Sequence, residues 1–186
     1  MRIGPTWANW KFWLKLVGLA FLLLFFWYNP PRVDLAWVAA YLGLVIGAGL
    51  VLGWVVDPVL ARLIPSQNVD PTPYGDRRAA EVKRRPLIEA LLLPGEDGFF
   101  FVPLLVVGIE PLTAAIASMA YAATHYPEYP LKNCVGKAAI LYLIATWILP
   151  NGLGSVVVGH LVVDWIAYYV WTRHASPQAS SHGDVS

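Results

Sequence analysis

Long apolar runs alternate with short polar breaks along this chain. Crossing the hydrocarbon core of a bilayer takes about 20 mostly apolar residues in a helix. Stretches of that kind lie at residues 12–28, 35–56, 87–108, 112–125, 135–149 and 153–171, the fourth and fifth being short for a full crossing. Pro30-Pro31, Pro111 and Pro150-Asn151-Gly152 stand between them as turn signals. The pattern predicts an all-α fold, a polytopic membrane bundle of about six transmembrane helices. Residues 1–174 form a single transmembrane helical domain, and the polar residues 175–186 a disordered tail.

Composition sharpens this picture. Of 186 residues, 58% are hydrophobic and only 13% charged; a soluble domain is typically under half apolar and about a quarter charged. Nine Trp and nine Tyr are many for this length, and several fall near the predicted helix ends, where amphipathic rings favour the headgroup region. The first apolar run ends in Trp27-Tyr28-Asn29-Pro30-Pro31 without a small-x-small cleavage site, which predicts a retained helix. The net charge of +1 gives no general attraction to nucleic acid. A single cysteine, Cys134, excludes an intrachain disulfide and a Cys-rich metal site.

Charge also orients the bundle. Residues 57–86 form the longest polar stretch and hold Arg62, Arg77, Arg78, Lys83, Arg84 and Arg85, which predicts a cytoplasmic basic loop. Alternating the spans from there makes both termini cytoplasmic, the first with Arg2, Lys11 and Lys15 and the last with Arg173. Lys132 and Lys137 fall on the same side. The chain is thus expected in the cell membrane with lipids as partners. In the second span, Gly43-x-x-x-Gly47 and Gly49-x-x-x-Gly53 are spaced for close helix packing, within the chain in the first place and between copies as the alternative.

Ionisable residues at membrane depth are costly and usually face an interior. Here they are Glu89, Glu96, Asp97, His125, His160 and Asp164. His160 and Asp164 share one helix face at i, i+4. Counted along the helices, His160 lies roughly 10 Å and Asp164 roughly 16 Å from the outer end at Leu153, and Glu96 roughly 14 Å from the cytoplasmic end at Leu87. His125 closes the fourth span on the cytoplasmic side. Leu93-Pro94-Gly95-Glu96-Asp97-Gly98 predicts an interruption of the third span, since Pro removes a donor and Gly loosens a helix. Broken backbone at this depth needs protein or water to satisfy it. An acidic pair lining a wet pocket open to the cytoplasm follows, with a plain kink as the simpler alternative.

Residues 87–171 resemble the core of the CAAX prenyl protease and bacteriocin-processing (CPBP, abortive-infection-type) family of intramembrane proteins. Tyr121-Ala122-Ala123-Thr124-His125 is similar to that family's Phe-x-x-x-His motif, and His160-Leu161-Val162-Val163-Asp164 to its His-x-x-x-Asn/Asp motif. Glu96-Asp97 stands where the family has a Glu-Glu pair, without the Arg that follows four residues later. Glu89, after Pro86, is the alternative placement.

The resemblance implies a hydrolase, an intramembrane endopeptidase that uses neither metal nor other cofactor and acts on a peptide or membrane-protein substrate. Glu96 would be the general base, assisted by His125, with Glu89 as the alternative base. His160 would donate to the oxyanion. Asp164, if ionised, would repel that oxyanion, so it would either be protonated or orient His160 instead. Other readings of the same residues are an inactive relative serving as scaffold or interaction partner, and a metal enzyme or transporter with His125, His160, Asp164 and Glu96 as ligands. In another, the cluster glues helices together or carries protons or ions.

Overall fold

The structure, a computed structural model, describes residues 5–51, 59, 92–125 and 131–174. They are all helical, with no strand among the described residues. The helices are α1 (Pro5–Tyr28), α2 (Leu35–Val51), α3 (Pro94–Val107), α4 (Pro111–Ala123), α5 (Leu131–Leu143) and α6 (Leu153–His174). The basic loop and Glu89 lie outside the described residues.

The breaks have local causes. Asn29-Pro30-Pro31 ends α1, because proline cannot donate to the ladder. Asp34 then caps α2, its Oδ1 accepting the Ala36 amide at 2.8 Å. Pro111 opens α4 at a position where the missing N–H costs nothing, and the Glu110 amide donates to Thr113 Oγ1 at 3.0 Å. The chain leaves α5 through one π turn, Ile144–Ile148, and one 3-10 turn, Leu149–Asn151. Gly152 then reverses it at φ 139°, a backbone value that suits glycine.

Three expectations are corrected here. The break expected across Leu93 to Gly98 is confined to a turn at Leu93, between helical Leu92 and Pro94, and Gly95 through Gly98 are helical within α3. Proline in the first turn forfeits no bond, and Glu96 and Asp97 sit where the helix dipole favours negative charge. The fifth helix is longer than expected, since the π and 3-10 turns extend an apolar helical stretch across Cys134–Asn151. Finally, a Cβ at Gly43, Gly47 or Gly49 would meet nothing within 4 Å among the described residues, and Gly53 lies outside them. The small-residue contact lies elsewhere, between α1 and α3.

That contact is the most extensive between any two of the described helices. A Cβ at Gly18 would overlap the Gly95 carbonyl, one at Gly95 the Lys15 carbonyl, and one at Gly98 the Gly18 carbonyl. Phe21 and Phe99 stack beside the seam, with centroids 6.3 Å apart. Residue numbers rise together on both sides, so α1 and α3 run parallel. The same holds for α2 and α6: the Asp34 amide donates to Ser155 Oγ at 2.9 Å, and the Tyr41 ring lies over Gly159.

The buried core joins Phe100, Phe101 and Leu104 of α3 to Tyr121, Ile144, Leu149 and Val156. The outside is apolar too: Trp13, Leu23, Leu24, Trp27, Leu112, Trp147 and Trp165 are all exposed. Two helices, Trp10–Tyr28 and Cys134–Asn151, are long and apolar enough to cross a membrane by length and composition. Leu35–Val51, Pro111–Ala123 and Leu153–Ala167 are shorter apolar helices.

Candidate functional site

The first turn of α3 points two adjacent carboxylates into the bundle. Successive helical positions differ by about 100° in direction, so neighbours reach different helices. Glu96 faces α1 and α4, while Asp97 faces α6.

Glu96 accepts from both sides. Lys15 Nζ of α1 lies 3.0 Å from Oε1, the two side chains being 8% and 15% exposed. The Tyr121 hydroxyl of α4 donates to Oε2 at 2.8 Å. Tyr121 is wedged between rings, edge-on to Phe100 with centroids 4.8 Å apart and stacked on His125 at 5.2 Å. His125 sits one turn further along the same face and within electrostatic range of Glu96. Its Nδ1 lies 3.1 Å from the Tyr121 carbonyl and 3.0 Å from Thr124 Oγ1. Thr124 Oγ1 in turn donates to the Tyr121 carbonyl at 2.7 Å.

Asp97 is nearly inaccessible and takes its partner from α6. His160 Nδ1 lies 3.0 Å from Oδ1 and 3.1 Å from Oδ2. With its N–H on Nδ1, the imidazole is pinned to one carboxylate and presents Nε2 on the other side. Asp164 Oδ1 lies 3.8 Å from that Nε2, beyond hydrogen-bond range, and its side chain is 39% exposed. Tyr41 of α2, seated on Gly159, lies within electrostatic range of Asp97, Asp164 and Glu96.

The site residues expected from the sequence therefore come together, with altered partnerships. Glu96, Asp97, His125, His160 and Asp164 gather around one turn of α3. Asp97 orients His160, one of the two parts expected of Asp164. Glu96 reaches His125 by way of Tyr121, which the sequence offered only as a substitute for a motif Phe. Glu89 lies outside the described residues.

Lys15 is the residue that sequence reasoning misplaced. It was expected among the flanking cytoplasmic charges, yet it is buried against α3. Its position inside the apolar stretch Trp10–Tyr28 was the available signal, because a lysine five residues into a span needs a partner. As for metal, no group of three or more His, Cys, Asp and Glu side chains converges as a ligand set among the described residues.

Chemically, the arrangement holds two acids of unequal surroundings side by side. Each Glu96 oxygen has a protein donor, and a carboxylate has about four lone-pair sites, so acceptor capacity remains. The Asp97–His160 pair is an oriented imidazole whose second nitrogen faces away from its carboxylate. No protein-family profile, curated protein or solved structure matches this chain.

Proposed function

We propose that the chain is a multi-pass membrane protein of six spans with both termini in the cytoplasm, carrying an intramembrane endopeptidase centre of the CPBP type. The observation that carries the hydrolytic reading is the division of the acidic pair. Glu96 is joined to Tyr121 and His125 of α4, and Asp97 to His160 of α6. These are the residues of the resembling motifs, drawn from three helices. Six alternating spans are supported by the parallel course of α1 with α3 and of α2 with α6, as odd and even spans require. The large apolar side chains exposed on the described helices suit lipid.

In this reading Glu96 takes a proton from water through its remaining lone pairs, while Lys15 and Tyr121 hold the carboxylate still. The hydroxide so formed adds to the scissile carbonyl, and the resulting oxyanion accepts from His160 Nε2–H. Asp97 keeps the imidazole aimed and offsets its charge. The proton held on Glu96 then passes to the leaving amine. The substrate class is a peptide segment presented from the bilayer near its cytoplasmic side.

The test is cleavage of membrane-anchored peptides by the protein reconstituted in liposomes. Cleavage that persists in chelator and is lost in Glu96→Gln and His160→Ala supports this function. Cleavage by both variants at the wild-type rate would sink it.

One observation favours a second reading, a helix clasp without chemistry: both oxygens of Glu96 are taken by side chains of the protein itself. It is supported if the wild type cleaves none of these peptides while Glu96→Gln loosens the bundle.

A further inference from the structure

The lysine inside α1 and the glycines of the α1–α3 seam belong to one contact. Gly95 packs against the carbonyl of Lys15 itself, and Gly98 against the carbonyl of Gly18, one turn further on. Any side chain at Gly95 would push away the segment of α1 that bears Lys15. With hydrogen alone at Gly18, Gly95 and Gly98, the two backbones close up. The Lys15 ammonium then meets the residue that follows Gly95, Glu96, at 3.0 Å. A long, flexible side chain is thereby delivered to a buried carboxylate by backbone contact, with little freedom left to it.

The arrangement continues along α1. Lys11, one turn before Lys15, lies within electrostatic range of His125, one turn beyond Tyr121 on α4. Lys137 of α5 acts on His125 from the other side. An anchoring helix needs no such register, and a lysine that only set topology would lie in water.

We propose that Lys15 is a positioning residue of the site, and that α1 is part of the reaction centre. Its ammonium holds Glu96 Oε1, which fixes the carboxylate so that Oε2 receives the Tyr121 hydroxyl. The catalytic consequence rests on the peptidase reading above; the placement of Glu96 and Tyr121 does not. A second role follows for Tyr121: its ring sets the stack on which His125 rests, so a displaced Glu96 disturbs both.

The test reads Tyr121 directly, in the full chain reconstituted in nanodiscs with tyrosine labelled at the ring carbon bearing the hydroxyl. The Tyr121 resonance is assigned by its disappearance in Tyr121→Phe. Expected is that Lys15→Met and Glu96→Gln both move this resonance in the same direction, while Lys15→Arg leaves it in place. In the cleavage assay Lys15→Met is expected to lower kcat at least about tenfold with little change in KM, and Lys15→Arg to recover most of it; tenfold in rate corresponds to about 1.4 kcal/mol. A Tyr121 resonance in Lys15→Met that coincides with wild type overturns the proposal, even if cleavage is normal. If Lys15→Met does not fold, Lys15→Arg decides: a shifted resonance there overturns it as well. A shift in Lys15→Met from a protein that cleaves nothing upholds the positioning and removes the peptidase reading alone.

Discussion

Glu96 and Asp97 are neighbours on one helical turn with opposite surroundings. Glu96 meets a lysine ammonium and a phenol, both brought by helices that pack close to it. Asp97 meets an imidazole, which can be neutral or charged. The Glu96 side is fastened at both oxygens, and its cation arrives through a backbone-to-backbone glycine seam. The Asp97 side hangs on one histidine whose far nitrogen looks toward a half-exposed Asp164. One side is fastened by two donors from two helices, and the other by a single imidazole from a third.

The contrast can be broken by measuring stability in detergent for a graded set of variants. The largest loss is expected for Lys15→Met, about 3–5 kcal/mol, because it strands a buried carboxylate. Lys15→Met/Glu96→Gln should recover most of that loss, and a double variant no better than the single one would show that the pair is not coupled. Tyr121→Phe comes next, at about 1.5–3 kcal/mol, as it deletes a hydrogen bond to a charged group. Asp97→Asn should cost about 1 kcal/mol, since the amide oxygen still accepts from His160 Nδ1–H. The smallest effect belongs to Asp164→Asn, below about 1 kcal/mol, given a 3.8 Å separation and a partly exposed side chain. Losses of equal size at Lys15 and Asp97 would erase the distinction between the two sides.

Much of the helical framework was readable along the chain. Pro30-Pro31, Pro111 and Pro150-Asn151-Gly152 end or begin helices where expected, because proline acts on its own backbone and its immediate neighbours. The same rule, applied at Pro94, placed the break correctly at Leu93 but carried it too far, through the acidic pair. A proline followed by two acids is also the signature of a helix start, and the structure uses it as one. The glycines misled in a different way. Gly43-x-x-x-Gly47 has the spacing of a packing face but touches no neighbour within 4 Å among the described residues, whereas Gly18, Gly95 and Gly98, which no single motif joins, form the tight seam. Spacing reveals which residues share a face, and it leaves open which other face they meet.

The site shows the same division. The residue types and their helices could be listed from the sequence: Glu96 and Asp97 on one, His125 on another, His160 and Asp164 on a third. Lys15 was visible only as a charge near an end, because its importance depends on a helix some eighty residues away in the chain.

By itself, the sequence determined the all-helical class, the apolar exterior, the turns and the set of ionisable side chains, since each follows from local chemistry and composition. The tertiary structure alone decided who pairs with whom. A shift of one residue in helix register turns a side chain by about 100°. Only the packed seam of Gly18 on Gly95 and Gly98 fixes that register well enough to give Lys15 to Glu96 and leave Asp97 to His160.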